Sequence, residues 1–429
     1  MGCFKVVRKP RESSSMTRPL RILFVNRMAT LVRGGGETFD LEISASLEKL
    51  GCQISYLTGA PIWGAPPLPL AHPRSHLIRS PYLPWFPWDK VKAGWRVRVW
   101  EFSQFERKAA RWIMAHASEF DVIQICELPY LVSLLKTADA PCPTPVVLRL
   151  TAPNAHDPWG GIKLADAVIA SGTSIEKVRK NVRPSVFDVP NGVDLGRFQQ
   201  PEAARLTTDF RARHNIPTSA PVMLYVARFQ AFKNHKLLLD AFLHVVRDIP
   251  DARLVLAGSG PLQGEVADLC RKEKISGQVL FLGEVPFADL PNVYAAADIK
   301  VISSEYESFC FAAIEAMAAG LPVITTDCGW VPKLIGDALP PIEKQWAHGG
   351  DAPGRFPTEQ DGQRIRAVPG GLVVSRVESD SLAAAMKMML RDATLRAASG
   401  AWNRKKAVRE HGWESSAVKL LGVYEGLVK

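Results

Sequence analysis

Arg21–Thr58 reads RILFVNRMATLVRGGGETFDLEISASLEKLGCQISYLT. Its first six residues, Arg21–Asn26, form a short apolar run of the kind found in a buried parallel strand. Glycine then interrupts the chain at Arg33-Gly34-Gly35-Gly36-Glu37, and Phe39, Ile43, Leu47 and Leu50 recur on one helical face. Gly51 ends that helix, and Cys52–Thr58 is the next strand. Strand, helix and strand at this spacing predict a βαβ unit. A glycine-rich turn between strand and helix also lets backbone N–H groups approach a phosphate. The G-x-G-x-x-G spacing of a dinucleotide fingerprint is absent.

The alternation continues outward from this unit. Residues 59–90 are rich in proline and aromatic side chains and read as loop. A long basic amphipathic stretch, Val91–His116, follows. Asp121–Cys126, Pro145–Leu150, Ala167–Ala170 and Val186–Val189 are further candidate strands, with a helix at Ser174–Asn181. The pattern restarts at Val222–Val226 (VMLYV) and runs through strands Arg253–Ala257, Val279–Leu282, Asp298–Ile302, Val323–Thr325 and Leu372–Val374. Helices are expected between them, and at Ser379–Asp392 and Ser415–Val428.

Two successive alternating halves predict an α/β chain of two doubly wound, Rossmann-like domains, with ligand at the carboxyl ends of the strands. The expected division is a disordered leader over 1–17, a first domain over 18–196, a polar linker over 197–220 and a second domain over 221–410. Residues 338–369 read as an inserted surface loop, and 411–429 as a C-terminal helix packing back on the first domain.

The chain has 429 residues, 47% hydrophobic and 22% charged, an ordinary globular composition able to bury two cores. No window supplies the ~18 uncharged apolar residues of a membrane span. Lys5, Arg8, Lys9, Arg11 and Glu12 interrupt the N-terminus, so it does not read as a secretory signal. Seven scattered cysteines suggest neither a disulfide framework nor a zinc site, which points to a reducing cytoplasm. The 53 lysines and arginines exceed the 43 acids by ten, which favours anionic partners: nucleotide phosphates, an acidic membrane or nucleic acid.

The chemistry concentrates in Ser304–Gly320, SEYESFCFAAIEAMAAG. Glu307 precedes a helix and Glu315 lies within it, and eight helical steps span roughly 12 Å. The free N–H groups at the helix start, around Phe309, Cys310 and Phe311, suit a pyrophosphate between the two acids. An ordinary amphipathic helix with one exposed acid would show the same spacing, so the motif does not stand alone. In VARFQAFKNHK, Val226–Lys236, Arg228 follows a strand and Lys233 precedes a helix, where two cations can meet a diphosphate leaving group.

Asn191-Gly192-Val193-Asp194, the Arg228/Lys233 pair, Gly258-Ser259-Gly260-Pro261 and the Glu307/Glu315 helix occur in one order. From Leu20 to the final helix, that order resembles the glycosyl transferases group 1 family, retaining enzymes of the GT-B fold. The resemblance implies two domains facing each other across a cleft. It further implies a hexosyltransferase moving sugar from a nucleoside-diphosphate sugar to a glycan or lipid-linked acceptor, in polysaccharide or glycolipid biosynthesis. Arg228, Lys233 and Glu307 would then be catalytic, with Glu307 toward the sugar. Gly34, Gly35, Phe309, Cys310, Phe311 and Glu315 would bind the donor, with Glu315 on the ribose. No metal or other cofactor is implied, because the two cations and the helix N-terminus take a metal's place.

The chain departs from that pattern in places. Many relatives carry a histidine just after the strand held here by Asp121–Ile125, where Gln124 and Cys126 stand. Thr151 occupies a second frequent histidine position, with His156 close by, and Cys310 stands where glycine is common. A non-catalytic homologue that binds nucleotide sugar is therefore one alternative within the fold. A glycan phosphorylase or nucleotide-sugar epimerase is another, and a phosphorylase would need a pyridoxal-binding lysine site, of which the sequence shows no signature. The basic charge raises a nucleic-acid-binding protein as an alternative of another class, but no nucleic-acid motif accompanies it. Trp85, Phe86, Trp88, Trp95, Trp100 and Trp112 lie among Lys90, Lys92, Arg96, Arg98, Arg107, Lys108 and Arg111. That mixture suits peripheral docking on an anionic inner membrane face, or a core helix with inward tryptophans and a solvated basic face.

Overall fold

The computed structural model describes residues 18–32, 35–64, 66–70, 72–84, 91–151, 157–181, 185–198, 203–336, 365–375 and 378–429. The first sheet contains β1 (Arg21–Asn26), β2 (Gln53–Pro61), β3 (Ser75–Ser80), β4 (Val122–Cys126), β5 (Val146–Leu150), β6 (Ala167–Ala170) and β7 (Val186–Asp188). Its spatial order is β3-β2-β1-β4-β5-β6-β7, and β1 pairs in parallel with both β2 and β4. A crossover helix, Gly35–Lys49, leaves β1 and buries Phe39, Ile43 and Leu47, while Leu50 beyond its end is 42% exposed.

The second sheet contains β8 (Val222–Val226), β9 (Arg253–Ala257), β10 (Val279–Gly283), β11 (Ile299–Ile302), β12 (Val323–Thr326), β13 (Ile365–Val368) and β14 (Gly371–Val374). Its order is β10-β9-β8-β11-β12-β14-β13, parallel except for the β13–β14 hairpin. Met223 and Tyr225 of β8 enter one core, Val222 and Leu224 the other. Both faces of that strand are covered, which is why VMLYV shows no apolar–polar alternation.

Contact density divides the chain into two compact units. One holds Met1–Arg149, His156–Val168 and Leu420–Lys429; the other holds Leu150–Ala155 and Ile169–Lys419. Among the described residues no helix is long and apolar enough to cross a membrane.

Several expectations change. The proline-rich stretch read as loop contains β3, an edge strand whose partner is β2. The expected linker 197–220 contains the helix Ala203–Arg213. Buried Arg211 anchors it, donating to the carbonyls of Thr218, Ala220 and Ala296 at 2.9–3.0 Å and to Asp298 at 3.1 Å. The loop expected over 338–369 lies mostly outside the described residues. Its last part is β13, whose Ile365 and Ala367 pack on the core while Arg366 alternates with them. A helix absent from the sequence reading, Ala393–Glu410, buries Ser399, Gly400, Asn403 and Ala407, a face too small and polar to register as an apolar stripe.

The basic stretch forms the helix Gly94–His116. Phe105, Ala109 and Ile113 face inward, but Trp95 and Trp100 are 59% and 49% exposed, so these tryptophans are not core residues. Trp112 stacks on His116 with ring centroids 4.2 Å apart. Trp85, Phe86, Trp88 and Lys90 lie outside the described residues.

Candidate functional site

The carboxyl ends of β8, β9 and β11 bring most of the sequence-predicted residues to one edge. Arg228 is exposed two residues past β8. The loop carrying it lies against the loop after β9, where Phe229 N–H donates to the Ser259 carbonyl at 3.0 Å. Gly258 there has φ +133°, and a Cβ would sit 2.1 Å from the Ala227 carbonyl oxygen, so only glycine allows this approach.

Lys233 ends a single turn, Ala231–Lys233, whose backbone is tied to two strand ends. Its carbonyl accepts from the Tyr225 hydroxyl, and from Ser303 Oγ at 3.1 Å. Asn234, in the left-handed region, then caps the helix His235–Asp248 by accepting from Leu237 N–H at 3.2 Å. With its backbone fixed this way, Lys233 directs Nζ to Glu307 Oε1 at 2.6 Å. The same Glu307 oxygen accepts from Ser304 Oγ at 2.7 Å. Trp330 N–H donates to the Glu307 carbonyl at 3.2 Å, and a Cβ on Gly329 (φ +59°) would fall 1.8 Å from that oxygen. Both ends of Glu307 are thereby held.

The helix itself runs Phe311–Ala319, so Glu307 stands four residues before it and the 12 Å straight-helix spacing does not apply. Cys310 is the residue before its first turn, with φ +74° and ψ +88°. That conformation costs an L-residue about 1–2 kcal/mol and explains why glycine suits the position. Phe309 is buried and packs 6.2 Å, ring to ring, from Phe311. First-turn N–H groups of such a helix lack intrahelical partners and carry the positive end of its dipole.

Glu315 is buried and accepts from the Tyr294 hydroxyl at 2.6 Å. Burial raises its pKa, opposed by the Tyr294 hydrogen bond and by the charges of Lys300 and Arg197. Burial, with Glu307 adding to it, also pushes the Cys310 thiol well up, so it stays protonated at neutral pH. Burial and the charges of Lys233 and Lys300 lower His235 to about 4, leaving its ring neutral.

Of the glycine loop in the first sheet, Gly34 lies outside the described residues and Gly35 is the exposed first residue of its helix. Beneath it is a buried polar network. Arg149 donates to the Gly36 carbonyl at 3.1 Å and to Cys126 Sγ at 3.5 Å, and lies 3.6 Å from Asp40. Asn26 and Gln124 donate to Asp40 at 2.7 and 3.3 Å, and the Tyr424 hydroxyl donates to Gln124 Oε1 at 2.5 Å. Gln124 and Cys126 are thus built into the interior, and His156 lies outside the described residues. Among the described residues no cluster of three or more His, Cys, Asp or Glu is placed to hold a metal ion.

The sequence reading missed Tyr294, Lys300, Asp40 and Arg149. The available signal for two of them was a lone charge inside an apolar strand, IKVI for Lys300 and VVLRL for Arg149.

The family model described as "Glycosyl transferases group 1" matches residues 207–341. A D-inositol 3-phosphate glycosyltransferase from Kineococcus radiotolerans is 31% identical over 253 residues, 57% of this chain and 52% of that protein. The chain spans about half the length of the curated relatives it matches. Among solved structures, sucrose-phosphate synthase from Thermosynechococcus elongatus superposes with TM-score 0.70 at 20% identity, covering 95% of this chain and 99% of that one. Anabaena HepE in complex with UDP gives TM-score 0.67 at 17% identity, covering 95% and 100%. Likeness at such identity shows the fold, which is GT-B: two Rossmann-like domains.

Proposed function

Because residues 207–341 belong to the Glycosyl transferases group 1 family, we propose that the chain is a glycosyltransferase whose second sheet binds a nucleoside-diphosphate sugar. The observation that carries this reading is the Lys233–Glu307 contact beside the start of the helix Phe311–Ala319. It puts a cation, a carboxylate and a helix N-terminus at one strand edge, which a diphosphate joined to a sugar requires.

In this reading Arg228 and Lys233 neutralise the departing diphosphate, and the amides near Phe309, Cys310 and Phe311 hold its oxygens. Glu315 accepts from the ribose hydroxyls and Glu307 orients the sugar. Reaction proceeds with retention, the acceptor attacking on the face the diphosphate leaves, while a donor phosphate oxygen takes the acceptor's proton. The cations serve in place of a metal. The acceptor is a glycan or lipid-linked sugar bound by the first domain, which carries the exposed Trp95 and Trp100 and their basic neighbours toward an anionic membrane. The cytoplasm is the compartment we assign, supported by six free thiols among the described cysteines.

Thermal unfolding with UDP- and GDP-sugars, followed by radiolabel transfer with and without chelator, tests the reading. A bound ligand at ~100 times its dissociation constant adds ~2.7 kcal/mol. Transfer abolished by chelator would refute the metal-free design. No stabilisation by any nucleotide sugar would remove the donor site altogether. A nucleotide-sugar-binding protein without transferase activity is the second reading, motivated by Gln124 and Cys126 serving the buried network. Donor binding without transfer or hydrolysis would favour it.

A further inference from the structure

Lys300 has no place in the reaction just described, yet its situation is unusual. It lies within β11, is wholly buried, and its Nζ has no hydrogen-bond partner among the described residues. A buried ammonium without a partner costs several kcal/mol unless nearby charge offsets it. Its Nζ lies over the Tyr225 ring, 5.3 Å from the centroid. Strand alternation starts the side chain on the face of Ile302, the side on which Ile314 and the helix Phe311–Ala319 pack.

The pairing of charges around it narrows its role. Lys233 is bonded to Glu307. Among the described residues, Glu315 has only the neutral Tyr294 hydroxyl as a direct polar partner. Glu315 and Lys300 are thus the two buried charges at this strand edge without an ion pair among the described residues. Resting on the donor-site reading above, we propose that Lys300 is a positioning residue of that site. Its ammonium acts from beneath the helix to keep Glu315 ionised for the ribose and to favour the donor's diphosphate, without contacting either.

Electrostatics agree with this placement. Burial lowers Lys300 to about 8, Cys310, Glu315 and Glu307 act to raise it, and Lys233 acts to lower it. Tyr225 from β8 lies against it. The charges acting on it or sensing it belong to Lys233 in the turn before the next helix, His235 in that helix, Glu307 in the loop, Cys310 just before the helix Phe311–Ala319 and Glu315 within it. His235 is already neutral, Tyr225 is raised, and Cys310 is held protonated, so none of these three changes charge between pH 7 and 9, whereas Lys300 does.

The test measures binding of UDP, GDP and ADP by calorimetry at pH 7.0 and 8.8 in the wild type, Lys300→Met and Lys300→Arg. With a charge acting through an effective dielectric near 20, Lys300→Met binds on the order of tenfold more weakly at pH 7. Wild-type affinity falls about fourfold by pH 8.8 as Lys300 titrates near 8, beyond any change in Lys300→Met, which cancels the nucleotide's own titration. Lys300→Arg keeps its charge and loses that dependence. Should Lys300→Met fail to fold, Lys300→Arg supplies the reference in its place: equal pH profiles in wild type and Lys300→Arg overturn the inference. Equal affinities and profiles in wild type and Lys300→Met overturn it while leaving the donor site standing. No binding of any nucleotide by the wild type overturns both.

Discussion

Replacing Glu307 by glutamine should make the protein hold a nucleoside diphosphate more tightly and transfer sugar more slowly. Lys233 Nζ is 2.6 Å from Glu307 Oε1, and the two side chains are 18% and 9% exposed. At that partial burial an effective dielectric near 20 applies, and two unit charges about 4 Å apart attract by ~4 kcal/mol. A lysine has three N–H donors, so Lys233 can keep Glu307 and still reach phosphate. Glu307 nevertheless competes for its charge and repels the incoming anion. Glutamine has nearly the same shape and keeps an oxygen for Ser304 Oγ, so the loop should survive the change. If a quarter to a half of the lost attraction returns as affinity, binding strengthens by ~1–2 kcal/mol, or about 5–30-fold.

Calorimetry with UDP and GDP reads the affinity, and steady-state transfer reads turnover. Loss of a group acting on the transition state should lower kcat by on the order of 10²-fold or more. If Glu307 were only a strut holding Lys233, the outcome would reverse. Lys233 would lose its anchor, nucleotide binding would weaken, and kcat and thermal stability would fall together. Weaker nucleotide binding in Glu307→Gln would therefore refute the assignment of these two residues to opposite ends of the donor.

Glu315→Gln should weaken nucleoside diphosphate binding by ~1.5–3 kcal/mol, the worth of a charged hydrogen bond, as measured by calorimetry. The same variant should unfold at higher temperature at pH 7, because burial raises the Glu315 pKa and its charged form opposes folding once pH exceeds the unfolded value. Arg149→Met leaves Asp40 buried beside Asn26 and Gln124 without its cation, and should cost ~3–5 kcal/mol in urea unfolding. Burial already raises Asp40 while Arg149 opposes that rise, so the loss should be larger at pH 7, where the unfolded carboxyl is ionised, than at pH 4; equal losses would remove Asp40 from the account. Serine at Trp95 and Trp100 should weaken salt-sensitive binding to acidic vesicles and leave nucleotide affinity unchanged, in a flotation assay compared with calorimetry.

The parts of the molecule legible in the sequence are those whose signal is local. Phe39, Ile43 and Leu47 announce their helix because burial on one face imposes a 3.6-residue period. β8 is readable because covering both faces forces an apolar run. Arg228, Lys233 and Glu307 are legible as candidates because a strand end or helix start places them at fixed offsets from a periodic element, and Glu315 because it is the one acid inside an apolar helix. β3 fails this test: Ser75-His76-Leu77-Ile78-Arg79-Ser80 is an edge strand with Leu77 half exposed, stabilised by its ladder to β2 rather than by its own composition. The helix Ala393–Glu410 fails it too, because close packing selects small residues there. Gly400 approaches the Gly320 carbonyl so closely that a Cβ would lie 2.1 Å from its oxygen.

Buried charge is harder still, and the reason is distance along the chain. Arg149 meets Gly36 and Asp40 across more than a hundred residues, and Gln124 meets Tyr424 across three hundred. Nothing near Arg149 in VVLRL distinguishes a guanidinium turned inward to hold a glycine turn from one on a solvated edge. Only the strand's place inside the sheet, with β4 paired on one side and β6 next on the other, forces the choice. Lys300 repeats the case: Ile299 and Val301 enter one core and Ile302 the other, so β11 is covered on both faces and its lysine has no route to water. A charged residue in a strand that topology makes central must find its compensation inside the protein. In both sheets that compensation gathers at the carboxyl edge, where a doubly wound fold puts its ligand.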